Sequence, residues 1–175
     1  MTDATTVSNL TQSTEDKIRI EIERFISSRK SLMLSTINEN NLPFASYAPF
    51  GIGKDCYYIL ISDIALHAKN LRHMPKASAL IIEDEDTAGE LFARMRVNYQ
   101  MDAEQLEVNS EAWNQGLASL VSRHGERAQN LSQLSDFKMF RLTPTSGRYV
   151  KGFGRAYAIT GNSTISHLRE GHKPR

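Results

Sequence analysis

The sequence predicts a mainly β protein: a closed or nearly closed antiparallel barrel of about six or seven strands, with helices mostly at its margins. Three observations support this prediction. From Leu32 onward, apolar residues occur in short runs of strand length, turn residues separate these runs, and only two longer segments show clear helical periodicity. The chain has 175 residues, 40% of them hydrophobic and 23% charged, which is typical of one globular domain.

The composition excludes several classes of protein. Twenty-one Lys and Arg residues against twenty Asp and Glu residues give a net charge of +1, so no overall field attracts nucleic acid or an acidic membrane. The single cysteine, Cys56, excludes an internal disulfide, zinc sites with two or more cysteines and four-cysteine iron–sulfur clusters within one chain. Residues 1–14 contain no apolar stretch long enough for a signal peptide or membrane span. We therefore expect a cytoplasmic protein without membrane insertion or nucleic-acid binding.

The N-terminal residues 1–14 are rich in Thr, Ser and Asn without periodicity, so we expect a flexible arm. A helix is predicted to start near Ser13 or Thr14, whose hydroxyl groups can cap free backbone N–H groups. Its apolar residues fall on one face at helical spacing: Ile18, Ile22, Phe25 and Ile26. The helix is expected to end where Ser31 begins.

The next part of the chain is predicted to be mostly strands. The first three are Leu32–Ile37, Phe44–Phe50 and Tyr57–Ile61, and the turn residues between them favour an antiparallel meander. A short helix over Asp63–Met74 stops at Pro75. Two further strands, Ala77–Ile82 and Leu91–Met101, flank an acidic turn or helix start at Glu83–Asp86.

The C-terminal part begins with the second clear helix, Ser110–His124, which Gly125 is expected to stop. The last strands are predicted at Phe137–Leu142 and Tyr149–Ile159, joined through Thr143–Gly147. This gives three parts: the arm 1–14, a barrel domain 15–161 and a polar tail 162–175.

The histidines differ in what their surroundings predict. His124 on an apolar helix face and His73 at a helix end are interpreted as structural. His67 remains a candidate, because it could face either a ligand or a neighbouring strand. His172 lies five residues after His167, a spacing that does not place two zinc ligands on one helix face. One histidine beside a glycine is nevertheless enough to serve as an axial haem ligand.

Two further patterns allow alternative interpretations. Arg94 and Arg96 are predicted to share one strand face, where they could hold carboxylates or a phosphate, or pair with the acidic turn Glu83–Asp86. Gly154, Ala156 and Ala158 give their strand one face of small groups. Such a face allows close approach of a packed helix or of a flat ligand.

Several separated motifs resemble those of one protein family. They are Ser46-Tyr47-Ala48-Pro49-Phe50, Ile64 to Leu71, Leu91-Phe92-Ala93-Arg94, Leu131 to Phe137, Val150-Lys151-Gly152-Phe153-Gly154 and Glu170-Gly171-His172. From about Arg29 to His172 the chain resembles the haem-utilisation proteins of the HutZ/HugZ type, within the pyridoxamine-phosphate-oxidase-like, FMN-binding split-barrel superfamily. The resemblance implies an antiparallel split β-barrel and a homodimer with haem near the subunit interface.

The resemblance also implies roles for individual residues. His172 corresponds to the histidine that ligates the haem iron, and Asp136 to the aspartate that accepts a hydrogen bond from that histidine across the dimer. Ser31 stands where relatives often have a Thr near the interface, and Arg94 or Arg96 would contact a propionate or the distal side. From the residues alone, Asp136 could equally cap the turn before its strand.

The function expected from this resemblance is a haem oxygenase-type monooxygenase for iron acquisition. Haem would be both substrate and cofactor, and an electron donor or reductase would supply electrons. The alternatives are an FMN-dependent split-barrel oxidoreductase and a non-catalytic haem storage or delivery protein. Flavin oxidases of the superfamily carry a Lys at the position of His67, and its absence favours haem over FMN, although Lys69, Arg94 and Arg96 remain nearby.

Overall fold

A computed structural model describes the backbone of residues 4–160 and 164–168 and the side chains of residues 14–160. The strands form one antiparallel sheet in the order β3-β2-β1-β4-β5-β6-β7-β8, and an additional β3–β6 pairing closes the first six into a barrel. The predicted mainly β barrel with peripheral helices is confirmed.

The elements have the following bounds. The helices are α1 (Ala4–Ser28), α2 (Leu66–His73), α3 (Glu111–His124) and α4 (Glu126–Ser132). The strands are β1 (Ser31–Ile37), β2 (Pro43–Ile52), β3 (Tyr57–Ser62), β4 (Lys76–Ile82), β5 (Arg96–Gln105), β6 (Phe137–Gly152), β7 (Arg155–Thr160) and β8 (Thr164–Leu168).

Strand β6 both closes the barrel and carries the sheet beyond it. Its first part, from Phe137 to Leu142, pairs with β3, whereas its later part, from Ser146 onward, pairs with β7. The predicted connection through Thr143–Gly147 is therefore wrong. The pairing of β5 with β6 shifts register at Gln100/Met101, and this bulge accommodates Pro144 inside the strand.

Helix α1 supplies one wall of the main core. Its buried residues Ile18, Ile22, Phe25 and Ile26 pack with the inner face of the barrel, which includes Leu34 and Tyr149. Tyr149 donates a hydrogen bond to Glu21 (2.9 Å), and Lys151 donates to the other oxygen of the same carboxylate (2.6 Å). The predicted helix start near Ser13 or Thr14 is wrong, because the helix begins at Ala4. The residues that extend the helix towards Ala4 have low intrinsic helix propensity, but they continue a helix that is already held by its packing against the barrel.

Other boundaries also differ from the prediction. Leu91–Ala93 form a 3₁₀ turn, capped by Glu90, which accepts a hydrogen bond from Phe92 N, so β5 starts at Arg96. Helix α4 was not predicted, since its seven residues are too few for a clear apolar period. Within the tail, Thr164–Leu168 pair with β7 as a strand.

A second, smaller core lies where α3 and α4 pack outside β3 and β6. It buries Trp113 and Leu120 against Tyr58 and Met139. Ser110 caps α3 by accepting from Trp113 N (3.1 Å), and Gly125 at φ 68° ends it, as predicted. Among the described helices, none is long and apolar enough to cross a membrane.

Candidate functional site

The outer face of the sheet carries two of the candidate residues, Ser31 on β1 and Arg96 on β5. Strand register places Tyr47, Met33, Leu80, Asn98, Arg148 and Ala158 in one row across six strands. The inward-facing residues are buried in the core, whereas Met33 and Tyr47 are 52% and 64% exposed. At the β1–β2 end, this face therefore presents two exposed apolar side chains, Met33 and Tyr47.

Arg96 lines an open groove on this face. The groove has a volume of about 240 Å³ and is lined by Phe92, Ala93, Arg96, Arg148, Val150, Gly152, Phe153, Gly154, Arg155 and Ala156. Phe92 is 90% exposed and Phe153 is 60% exposed. Three guanidinium groups line it, and no acidic side chain of the described residues does. Below, it is called the arginine groove.

The β6–β7 turn shapes one end of the arginine groove. Gly152 (φ 149°) and Gly154 (φ 68°) have backbone conformations that residues with a Cβ adopt at a cost, and the residue between them is Phe153. Ala156 pairs with Val150 on the floor. Of the three small residues predicted to share a strand face, Gly154 lies in this turn before β7 begins.

Arg94 and Ser31 line a different cavity, of about 260 Å³, below called the ion-pair cavity. There Arg94 pairs with Glu85 (3.0 Å) and Arg29 pairs with Asp84 (2.9 Å). The prediction that Arg94 and Arg96 share a strand face is wrong, because Arg94 precedes β5 and its carbonyl accepts a hydrogen bond from Arg96 Nη1 (2.9 Å). The alternative, pairing with the acidic turn, is confirmed for Arg94.

Asp136 lies at the turn that leads into β6, opposite the end of β3. Its backbone carbonyl accepts a hydrogen bond from Asp63 N (2.7 Å), and its carboxylate Oδ2 accepts one from Ser62 Oγ (2.9 Å). The neighbouring carboxylate of Asp63 pairs with Arg72 and lies 3.9 Å from Lys138 Nζ. Among the described residues, Asp136 has no such cationic partner.

His67 lies on α2, which packs against the barrel through a buried hydrogen bond from Asn70 to Thr36 (3.0 Å). Its Nδ1 is 3.0 Å from Ser46 Oγ on β2. Because Ser46 Oγ already donates to the Leu34 carbonyl (3.3 Å), the ring proton is assigned to Nδ1. Burial lowers the pKa of His67, which favours the neutral imidazole.

The surroundings of His124, His73 and Cys56 are as follows. His124 Nε2 is 2.9 Å from the Phe50 carbonyl, so the structural interpretation of this residue is confirmed. His73 is exposed at the end of α2. Cys56 is a buried free thiol. Within the described part of the chain, no three His, Cys, Asp or Glu residues are grouped to hold a metal ion. His172 lies outside the described residues.

A further cavity, with a volume of about 410 Å³, lies between α1 and the barrel. Tyr57 and Tyr99 line it, and burial raises the pKa of both hydroxyls. None of the predicted site residues lines this cavity.

The predicted site residues with described side chains thus do not form one pocket in a single chain. Arg94 and Ser31 share the ion-pair cavity, Arg96 lines the arginine groove, and Asp136 and His67 line neither. Sequence reasoning missed Phe92, Phe153, Arg148 and Arg155 as groove residues. Their signal was available only in part, as an aromatic residue between two glycines. The strand predicted at Tyr149–Ile159 is wrong at this point, because β6 ends at Gly152 and β7 begins at Arg155.

Comparisons with known proteins agree with this fold. Residues 18–151 match the family described as Pyridoxamine 5′-phosphate oxidase. The chain is 44% identical over 161 residues to Heme oxygenase HutZ of Vibrio cholerae serotype O1, covering 91% of this chain and 92% of HutZ. A crystal structure of HutZ, there described as the heme storage protein from Vibrio cholerae, has a TM-score of 0.68 at 45% identity, covering 71% of this chain and 87% of that one. The crystal structure of Campylobacter jejuni ChuZ has a TM-score of 0.83 at 28% identity, covering 98% of this chain and 73% of that one.

Proposed function

We propose that this chain, which belongs to the pyridoxamine 5′-phosphate oxidase family and within it to the HutZ-type haem-utilisation proteins, binds haem and degrades it as a haem oxygenase-type monooxygenase. The name of the Vibrio cholerae relative supports this activity. Haem is the substrate in this proposal, and an external electron donor supplies the electrons.

The arginine groove is the observation that carries the proposal. Haem is flat and apolar over its ring and bears two carboxylates at one edge. The groove offers exposed Phe92 and Phe153 for the ring, a floor that includes Ala156 for close approach, and Arg96, Arg148 and Arg155 for the carboxylates. This combination of residues fits haem.

His172 would ligate the iron. Leu168 of β8 pairs with Ala156 of the groove. His172 follows four residues later, and an extended chain of that length spans about 14 Å at most. The C-terminal histidine is therefore within reach of the arginine groove along its own chain, and a second copy could bring it there as well.

Asp136 of one subunit would accept a hydrogen bond from the ring N–H of His172 of the other subunit, because Asp136 and the arginine groove lie near opposite ends of β6. Its half-buried carboxylate has, among the described residues, only the Ser62 hydroxyl as a partner, so it retains capacity to accept another donor. A carboxylate that accepts this proton orients the imidazole and raises its basicity. The bound haem would supply an iron centre that activates oxygen, with its electron density increased by such a ligand.

A homodimer would complete the site. The arginine groove is smaller than the 300–1,000 Å³, roughly, of sites that enclose a drug-sized ligand, so one subunit supplies only one wall. The exposed Met33 and Tyr47 on the same sheet face suit an isologous contact between two copies. Sedimentation should show a dimer; a monomer both with and without hemin would exclude a shared site.

FMN fits the described residues less well. Flavin oxidases of this fold place a cation at the position of His67, and here burial favours the neutral ring, which supplies no charge for a phosphate dianion. Haem storage without degradation is the second candidate function, because the HutZ crystal structure carries that description. A storage protein would bind haem in the same way but would not break it down.

The test is to add hemin and then ascorbate in air, and to record the visible spectrum over time. Degradation predicts loss of the haem bands, whereas storage predicts that the bands persist. Asp136→Asn keeps the side-chain shape and should retain haem and the dimer while degrading haem about 10- to 100-fold more slowly. Asp102→Asn, a matched change at a surface carboxylate that pairs with Lys76 away from Asp136, should degrade haem at nearly the rate of the unchanged protein. Equal rates for both variants would contradict the role of Asp136.

A further inference from the structure

The turn between β3 and α2 holds Asp136 in one orientation. Ser62 is the last residue of β3, and strand register places it opposite Phe137, directly after Asp136. The Ser62 hydroxyl accepts a hydrogen bond from Ile64 N (3.3 Å) and donates to Asp136 Oδ2 (2.9 Å). A hydroxyl has one proton, so the acceptor contact with Ile64 leaves that proton for the carboxylate.

The backbone fixes the same arrangement from the other side. Asp63 N donates to the Asp136 carbonyl at 2.7 Å. Arg72 and Lys138 converge on the side chain of Asp63 and hold this turn in place. Asp136 is therefore held through its main chain by Asp63 and through its side chain by Ser62, while carboxylate oxygen Oδ1 has no donor among the described residues.

We propose that Ser62 is a positioning residue: its hydroxyl fixes the Asp136 carboxylate so that Oδ1 is directed to the haem-ligating histidine. This inference rests on the proposed function, since it requires Asp136 to accept a hydrogen bond from His172. The hydroxyl has two effects of opposite sign. It orients the carboxylate, which strengthens the bond to histidine, and it withdraws negative charge from the carboxylate, which weakens that bond.

The iron–histidine stretching frequency of the ferrous haem complex separates these effects. A stronger hydrogen bond from the imidazole to a carboxylate makes the imidazole a stronger donor and raises this frequency. If positioning dominates, Ser62→Ala lowers the frequency toward the value of Asp136→Asn. If charge withdrawal dominates, Ser62→Ala raises it. A purely structural role for Ser62 leaves it unchanged.

The experiment compares five proteins: the unchanged chain, Asp136→Asn, Ser62→Ala, Ser62→Thr and Ser119→Ala. Ser62→Thr retains the hydroxyl and should have the same iron–histidine frequency as the unchanged chain. Ser119 is the matched control, because its hydroxyl also donates and accepts, to Ile52 O (2.9 Å) and from Ile52 N (2.7 Å), away from Asp136. Ser119→Ala should leave the frequency unchanged. Thermal melts of the haem-free proteins report any loss of folding separately, and Ser62→Cys serves as a volume-matched weaker donor if Ser62→Ala does not fold.

We expect Asp136→Asn to lower the frequency. Ser62→Ala should lower the frequency by at least half as much and should also slow haem degradation. An unchanged or raised frequency in Ser62→Ala, beside a lowered one in Asp136→Asn, would overturn the role of Ser62 and leave the proposed function intact. An unchanged frequency in Asp136→Asn would overturn both the acceptor role of Asp136 and the role of Ser62, even if the protein still binds and degrades haem.

Discussion

Two cavities of nearly equal volume, about 260 Å³ and 240 Å³, are lined by arginines only two residues apart, Arg94 and Arg96. In the ion-pair cavity, cations and anions are matched: Arg94 contacts Glu85, and Arg29 contacts Asp84. In the arginine groove, three guanidinium groups accompany exposed aromatic rings, and no acidic residue of the described chain lines it.

This difference shows that the charge balance of a cavity, more than its size, decides which anionic ligand it can hold. A ligand carboxylate that enters the ion-pair cavity must displace Glu85 or Asp84 from an existing partner. A carboxylate that enters the arginine groove meets Arg96 and Arg155, for which the described residues provide no acidic partner to displace. In the proposed function, the haem carboxylates would therefore contact Arg96 and Arg155, whereas Arg94 holds the acidic loop through Glu85.

The largest effect on haem binding is expected from substitution of His172, the proposed iron ligand. His172→Ala should abolish specific haem ligation, since one strong imidazole nitrogen holds the iron. His73→Ala, at the exposed end of α2, should leave the haem spectrum essentially unchanged. Visible absorption after hemin titration measures both. Equal losses in the two variants would point to damage to folding, and an unchanged spectrum in His172→Ala would remove this residue as the ligand.

Arginine substitutions test the comparison directly. Arg96→Ala should weaken haem binding about 10- to 100-fold, because a charge-assisted hydrogen bond to a carboxylate contributes about 1.5–3 kcal/mol. Arg94→Ala should change the dissociation constant by less than about threefold, since its partner Glu85 is exposed and such pairs contribute about 0.2–1 kcal/mol to stability. Fluorescence titration with hemin measures both constants. A greater loss in Arg94→Ala than in Arg96→Ala would invert the assignment of the two cavities.

Loss of an apolar contact should weaken haem binding less than loss of the Arg96 guanidinium group. Phe153→Ala removes a ring at the rim of the arginine groove and should weaken haem binding about tenfold, since burial of a Phe side chain contributes about 1.5–3 kcal/mol when complete. Leu91→Ala is the matched control, because Leu91 is 64% exposed beside Phe92 and lines neither the groove nor the ion-pair cavity. It should bind haem like the unchanged protein. Similar losses in both variants would show that general surface hydrophobicity is what matters.

The sequence was sufficient to predict the barrel because its signals are local. Alternating apolar runs define β1 to β4, and Ser110 and Gly125 mark the ends of α3 by caps that depend only on neighbouring residues. The continuity of β6 was not predictable, because Pro144 is typical of a turn and is tolerated here only by the register shift against β5.

The site was predicted less completely for a physical reason. The arginine groove joins residues 92–96 to residues 148–156 through the β5–β6 and β6–β7 registers, which no local pattern encodes. Arg94 and Arg96 looked equivalent because alternation was assumed across a segment that is a 3₁₀ turn up to Ala93. The Ser62–Asp136 contact joins residues 74 positions apart and was likewise not visible in the sequence.

The smallest expected effect concerns His67, whose charge, unlike that of the groove arginines, changes with pH. Burial lowers its pKa from the ordinary value of 6.5, so the unfolded chain binds the proton more readily than the folded one. The stabilising contribution is therefore complete above pH 6.5 and is lost as the pH falls through the lowered pKa. His67→Gln, which cannot titrate, should lose less unfolding free energy between pH 7.5 and pH 5.5 than the unchanged protein. His73→Gln removes an exposed imidazole from the same helix and is the matched control. Urea unfolding of the haem-free proteins at several pH values measures this difference, and parallel pH profiles for all three proteins would show that folding does not lower the pKa of His67.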